Sequence, residues 1–252
     1  MSRAVVTPLR RPERSTSARQ PARPRKTVAL GNAAAPDSLA ARLFLLAYDP
    51  ERGRLTARSK LGKLLRAAVL VDLQLSGYLE DDGGRARLTT PRSRSVGSGV
   101  AAGPGDVVVA GVLEELRAVG PRRWRRWIDR RGGVTVRQVR DELARAHLIR
   151  VEPYRVLGLF PSARITLRHP LVRRHILRSA RDTLRPSRLV SRVDLRDAAI
   201  VVLASTADLR TVVTKDQRTR HKDRLAQLAV RVGPVVPALK KSLQQAQSSA
   251  GG

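Results

Sequence analysis

The 252-residue chain has no cysteine, so neither a disulfide framework nor a thiolate metal site can be built from it. Its four histidines, His147, His169, His175 and His221, stand in unlike contexts. They show no His-x-x-x-His or His-Glu spacing, and the chain has no Gly-x-Ser-x-Gly elbow. Long apolar runs are missing too: none approaches the roughly 20 residues that a membrane-spanning helix needs, and the N-terminus lacks a signal-peptide apolar region. Aromatic residues make up only 3% of the chain, which leaves few rings on which bases could stack. Ala57-x-x-x-x-Gly62-Lys63-Leu64 comes close to a phosphate-binding Walker loop, but it lacks the first glycine and the magnesium-binding hydroxyl. These absences lead us to expect a non-enzymatic, cytoplasmic protein with no metal and no cofactor.

Acid is scarce as well, and that shortage defines the chain. Fifty Lys and Arg face 21 Asp and Glu, a formal net charge of +29. A field of that sign attracts phosphates, whether of nucleic acid or of anionic lipid. Residues 1–36 are rich in Pro, Ser and Arg and have no apolar periodicity, so this stretch cannot bury enough surface to offset its ordering entropy. We read it as a disordered basic tail, a low-specificity electrostatic arm. With 42% hydrophobic residues the remainder can bury one substantial core, read as a single domain over residues 37–243 followed by a flexible tail over 244–252.

The domain is organised around residues 61–75, which are apolar almost all round a helix and therefore buried on most of their surface. Arg66 is the anomaly that stands out in this helix. An unpaired buried charge is very costly, so its guanidinium either reaches solvent along its stem or meets an anion. Gly77 stops the helix, and Tyr78 to Glu80, a turn at Asp82-Gly83-Gly84 and Arg85 to Leu88 spell a hairpin. Leu195 to Leu209 is a second nearly all-apolar helix and the natural partner of the first. The fold class that follows is mainly α, a helical bundle around two buried apolar helices with short β-hairpins.

Other elements fill in around this pair. Asp37-Ser38 offers an N-cap to a helix with Leu39, Leu43 and Leu46 inward, and Asp106 offers one to a helix that ends at Gly120-Pro121. Trp124 and Trp127 lie three apart on one helical face among arginines, Trp127 read as core and Trp124 as free to lie at the surface. Thr135 to Ile149 reads as a helix on which Arg137 and Arg140, three apart, can clamp one phosphate; the bland alternative is an exposed face paired with Asp141 and Glu142. Arg150 to Pro161 alternates around a turn at Glu152-Pro153 and reads as a hairpin. A following basic helix sets Arg173, Arg174, Arg178, Arg181 and Arg185 as a solvated cationic ridge. A helix over 216–232 comes next, after which Pro234 and Pro237 interrupt the chain and Gln244 onward frays.

Several of these stretches together resemble the Golgi phosphoprotein 3 family. They are SLAARLFLLAYDPERGRL with LLRAAVLVDLQLSGYLEDDGG, Pro104-Gly105-Asp106 before VVVAGVLEEL, and Trp127-Ile128, in the family's order and spacing over roughly Ser38 to Val232. The resemblance implies a pocket for the headgroup of phosphatidylinositol-4-phosphate, with Arg66 on the family's pocket arginine and Arg137 and Arg140 as its second element. Ala57 stands where eukaryotic members carry a tryptophan that walls the pocket, a departure that weakens selectivity for one phosphoinositide. The resemblance also implies that Val156, Leu157, Leu159 and Phe160 form the apolar tip of a hairpin used for membrane insertion or self-association. The function expected is therefore a peripheral membrane protein at the cytoplasmic face of an anionic phospholipid membrane, with protein cargo as a further partner in an adaptor role. The alternative is a cationic nucleic-acid-binding protein, disfavoured by the few aromatics and the absence of a base-reading motif.

Overall fold

The computed structural model describes residues 34–90, 106–156 and 160–249. The N-terminal basic segment up to residue 33, the loop over residues 91–105 and the hairpin tip at Leu157 and Leu159 lie outside these described residues. Helix α1 (Leu39–Ala47) starts at Ser38, whose hydroxyl accepts from the Ala41 amide at 3.4 Å. Its residues are apolar on almost every side, and eight of the nine are buried. Two short strands, β1 (Tyr48–Asp49) and β2 (Arg54–Leu55), then turn the chain into α2 (Arg58–Leu75).

Helix α2 is the hub. It packs against α1, against α3 (Val107–Val119), α4 (Trp124–Asp129) and α5 (Gly132–Arg145), and against α7 (Leu195–Thr206) and α10 (Val235–Ser248). Leu61 to Leu73 are buried except at Gly62 and Lys63, and α7 is buried from Ala198 to Ala204, so the two apolar helices do form the centre of a mainly α bundle. Dense packing sets tight local limits: a Cβ added at Gly62 would stand 2.8 Å from the Gly132 carbonyl carbon, so α2 and α5 meet backbone to backbone.

The hairpins are antiparallel. Strands β3 (Leu79–Asp82) and β4 (Arg85–Leu88) pair through a Gly83-Gly84 turn, both glycines at positive φ, and β5 (Arg122–Arg123) adds to β4. Strands β6 (Ile149–Val156) and β7 (Phe160–Leu167) pair from Ile149↔Leu167 to Val156↔Phe160. The turn expected at Glu152-Pro153 is therefore misplaced, because both residues sit inside β6, opposite Arg164 and Ala163. A two-stranded ribbon leaves an edge on which the missing proline N–H costs nothing, so proline does not end the strand there.

The C-terminal half adds α6 (Pro170–Asp182), a 3₁₀ turn (Val190–Arg192), α8 (Lys215–Arg220) and α9 (Lys222–Val232). Thr214 and Gln217 form a capping box at α8, and what reads as one helix over 216–232 is broken at His221. Nor do Pro234 and Pro237 interrupt the chain. Pro234 is the N-cap of α10 and Pro237 lies in its first turn, where the amide it lacks has no intrahelical partner to lose, and the helix runs on to Ser248. The ridge on α6 is also divided: Arg174, Arg178 and Arg185 are exposed, whereas Arg181 donates from Nε to the Val212 carbonyl at 2.9 Å and Arg173 is partly buried.

Candidate functional site

Arg66 projects from α2 into the interior and is 1% exposed, so its guanidinium meets an anion rather than solvent. The anion is the carboxylate of Glu115 on α3, which Arg66 Nη2 approaches at 3.1 Å, while Arg66 Nε donates to the Trp127 carbonyl oxygen at 3.2 Å. Burial pushes the Arg66 pKa below its ordinary value, and Glu115 works against that shift. Two more guanidiniums close on the same carboxylate, Arg130 at 3.6 Å and Arg131 at 3.8 Å. One carboxylate thus serves three cations at the start of α5, and the cluster keeps an excess of positive charge.

Arg137 and Arg140 stand farther along α5. Arg137 is exposed and its side chain makes no hydrogen bond or ion pair among the described residues. Arg140 is partly exposed and pairs with its neighbour Asp141 at 2.7 Å, whereas Glu142 pairs with Arg145. A surface pair of adjacent residues is worth little and yields readily to a stronger anion. Neither arginine is among the charges that act on Arg66, which are Glu115, Arg130 and Arg131. The three arginines singled out from sequence therefore fall into two groups, an enclosed one around Glu115 and an open one on the α5 surface.

Ala57 is the left-handed N-cap of α2, at φ 52°, and is half-buried against the core. The Walker-like stretch is used for packing and anchoring. Gly62 is spent on the contact with Gly132, and Lys63 Nζ is held by Asp129 at 2.6 Å and by the Ser242 hydroxyl at 2.9 Å. Trp124, read as free to lie at the surface, is 2% exposed and donates its indole N–H to Asp81 at 2.5 Å, and Trp127 is fully buried as expected. At the hairpin tip the backbones of Val156 and Phe160 pair as the last rung of the ladder.

Sequence reasoning missed Glu115, Arg130 and Arg131. The acidic pair Glu114-Glu115 was the available signal, because only Glu115 lies on the side of α3 that turns toward the core, one position before buried Leu116. No helix among the described residues is long and apolar enough to cross a membrane. A family model, Golgi phosphoprotein 3 (GPP34), matches residues 39–246, and no curated protein matches the chain.

Proposed function

Because the chain belongs to the Golgi phosphoprotein 3 family, we propose that it is a peripheral membrane protein that binds an anionic lipid headgroup, phosphatidylinositol-4-phosphate or a related phosphoinositide. Arg137 supports this reading most directly: it is exposed and has no partner among the described residues, one turn from Arg140, whose partner among them is a weak surface pair with Asp141. Side chains at this spacing reach one phosphate together, and charge-assisted hydrogen bonds from guanidinium to phosphate are among the stronger polar contacts. Arg66 joins the headgroup only where the phosphate takes an edge of its guanidinium from Glu115, so its share in binding is smaller than theirs. Val156, Leu157, Leu159 and Phe160 dip into the bilayer and supply the second signal that firm attachment needs, since electrostatic attraction alone is screened by salt. The adaptor role toward protein cargo accompanies membrane attachment.

Sedimentation with vesicles tests the reading. Vesicles containing phosphatidylinositol-4-phosphate are compared with vesicles of equal surface charge that lack it, using wild type, Arg137→Gln/Arg140→Gln and Arg66→Ala. We expect preference for the phosphoinositide in wild type, its loss in the double variant and a partial loss in Arg66→Ala. Equal binding to both vesicle types, unchanged by the α5 substitutions and removed by salt, would leave only an undirected cationic surface.

A further inference from the structure

A second basic feature lies away from α5. Strands β4 and β5, helix α4 and one face of α10 surround a concave basin of about 990 Å3. Cations enter it from each of these elements: Arg85 from β4, Arg122 and Arg123 from β5, Arg125 and Arg126 from α4, and Lys241 from α10. No acidic residue lines it among the described residues. Arg125 is hydrogen-bonded to Gln245, and the side chains of the other five make no hydrogen bond or ion pair among the described residues.

The strand register makes this arrangement costly. Arg85 and Arg123 stand directly opposite one another in the antiparallel β4–β5 pair, where like charges repel. The acid across the other edge of Arg85 is Asp82, and its carboxylate is held by Arg87 at 3.7 Å. Some arginine clusters elsewhere do meet acid: Glu115 serves three arginines and Asp208 serves Arg210 and Arg218. Here the described residues supply no counter-charge.

We propose that this basin is a second anion-binding site, for a compact ligand bearing several clustered phosphates. The cations converge on a hollow of small-molecule size rather than running along a stripe, which favours a compact polyanion over an extended strand. Trp124, the aromatic side chain in the lining, is buried and its N–H is taken by Asp81, so it offers no ring face on which a base could stack. Pro234, Pro237 and Ala238 give α10 a rigid apolar wall below Lys241 that suits a carbon skeleton between phosphates. The same chemistry is offered by a soluble polyphosphorylated molecule and by a multiply phosphorylated lipid headgroup.

Calorimetric titration of the full chain with sodium tripolyphosphate tests the site, alongside Arg85→Gln/Arg123→Gln, Lys241→Gln and the α5 double variant Arg137→Gln/Arg140→Gln. We expect saturable binding whose tightest step weakens at least ~tenfold in Arg85→Gln/Arg123→Gln and less in Lys241→Gln, and which the α5 variant retains, losing at most a separate, weaker step. Without anion, Arg85→Gln/Arg123→Gln should melt higher than wild type because a like-charge pair is gone, so loss of binding cannot be laid to unfolding. Vesicles carrying phosphatidylinositol-4,5-bisphosphate separate the sources: if tripolyphosphate displaces the protein from them through the basin residues the ligand is a lipid, and if not it is soluble. Absence of saturable binding, or binding indifferent to Arg85→Gln/Arg123→Gln, would overturn the proposal. So would a single-stranded oligonucleotide that binds through the same residues more tightly than tripolyphosphate, which would make the basin a nucleic-acid site. Because the α5 variant is measured in parallel, failure here leaves the headgroup reading standing, and the converse also holds.

Discussion

Asp72 shows how much a single buried charge can impose. It is fully enclosed on α2, accepts the Leu39 amide at 2.7 Å and pairs with Arg196 at 2.9 Å, tying the start of α1 to α7. Burial raises its pKa from 3.8 to about 7, against the opposing pull of Arg196 and the Leu39 amide. A raised carboxyl pKa means that the folded state holds the proton more tightly than the unfolded one. The stability it contributes is therefore full below about pH 4 and lost as pH rises through about 7, on the order of a few kcal/mol. Asp208 titrates the other way, its pKa lowered by Arg218 and Arg210 despite partial burial, but its contribution is lost only below the ordinary carboxyl range. Urea midpoints between pH 4 and 8 should therefore fall in wild type relative to Asp72→Asn, which should be weaker at low pH and flatter throughout. A wild-type midpoint that rises over that window relative to the variant would refute the assignment. Arg66 and Glu115 give a second contrast. Glu115→Gln strips a buried guanidinium of its counter-ion and is expected to cost up to about 3–5 kcal/mol. Arg66→Met should cost less, because Glu115 keeps Arg130 and Arg131, and adding it to Glu115→Gln should recover part of the loss in a denaturant titration.

Elements meet at positions where no side chain is tolerated, and the α2–α5 crossing is the clearest. A methyl at Gly62 would press on the Gly132 backbone at 2.8 Å, and one at Gly132 on the Gly62 carbonyl carbon at 3.1 Å, whereas nothing lies within 4 Å of a methyl at Gly133. Gly62→Ala should destabilise by about 1–3 kcal/mol through overpacking. Gly133→Ala should be neutral or stabilising by up to about 1 kcal/mol, because it removes unfolded-state entropy from a helical position. Thermal melts of the two variants decide it, and equal losses would mean that the crossing is looser than the contact implies. Such crossings explain what sequence could and could not yield. Periodicity and caps were enough to place α1, α2, α3 and α7, because those signals are local: Ser38 and Asp106 accept from amides within a turn, and the Gly120 amide donates back to the Leu116 carbonyl. Pairings between distant residues left no such trace. Arg66 left a choice between solvent and an anion, and nothing nearby in sequence said that Glu115, 49 residues on, would be its partner. Trp124 was ambiguous for the same reason, since the carboxylate that lets it be buried belongs to Asp81 on another element. Prolines misled where context decides, inside β6 and in the first turn of α10.

At the scale of the whole molecule, a net charge of +29 is a long-range field, and its two components should separate by their response to salt. Residues 1–36 contribute eight cations against one acid, a contribution with no geometric requirement. Each cation near an anionic surface is worth about 1 kcal/mol at low salt and fades once the Debye length shrinks below the charge spacing. In the proposed function the α5 arginines and the apolar hairpin would act at contact distance, where screening matters less. Deleting residues 1–36 should therefore weaken vesicle binding strongly at about 0.05 M salt and little at about 0.5 M, while leaving the preference for phosphatidylinositol-4-phosphate intact. Arg137→Gln/Arg140→Gln should do the reverse, lowering that preference at every salt concentration and barely changing the slope of binding against salt. Sedimentation across a salt series with the truncated chain, the double variant and their combination measures both quantities at once. If the truncation abolished the headgroup preference, the selectivity would reside in the tail and the assignment to α5 would fall. If the double variant alone flattened the salt response, the α5 pair would be acting as part of the diffuse field and not as a shaped site.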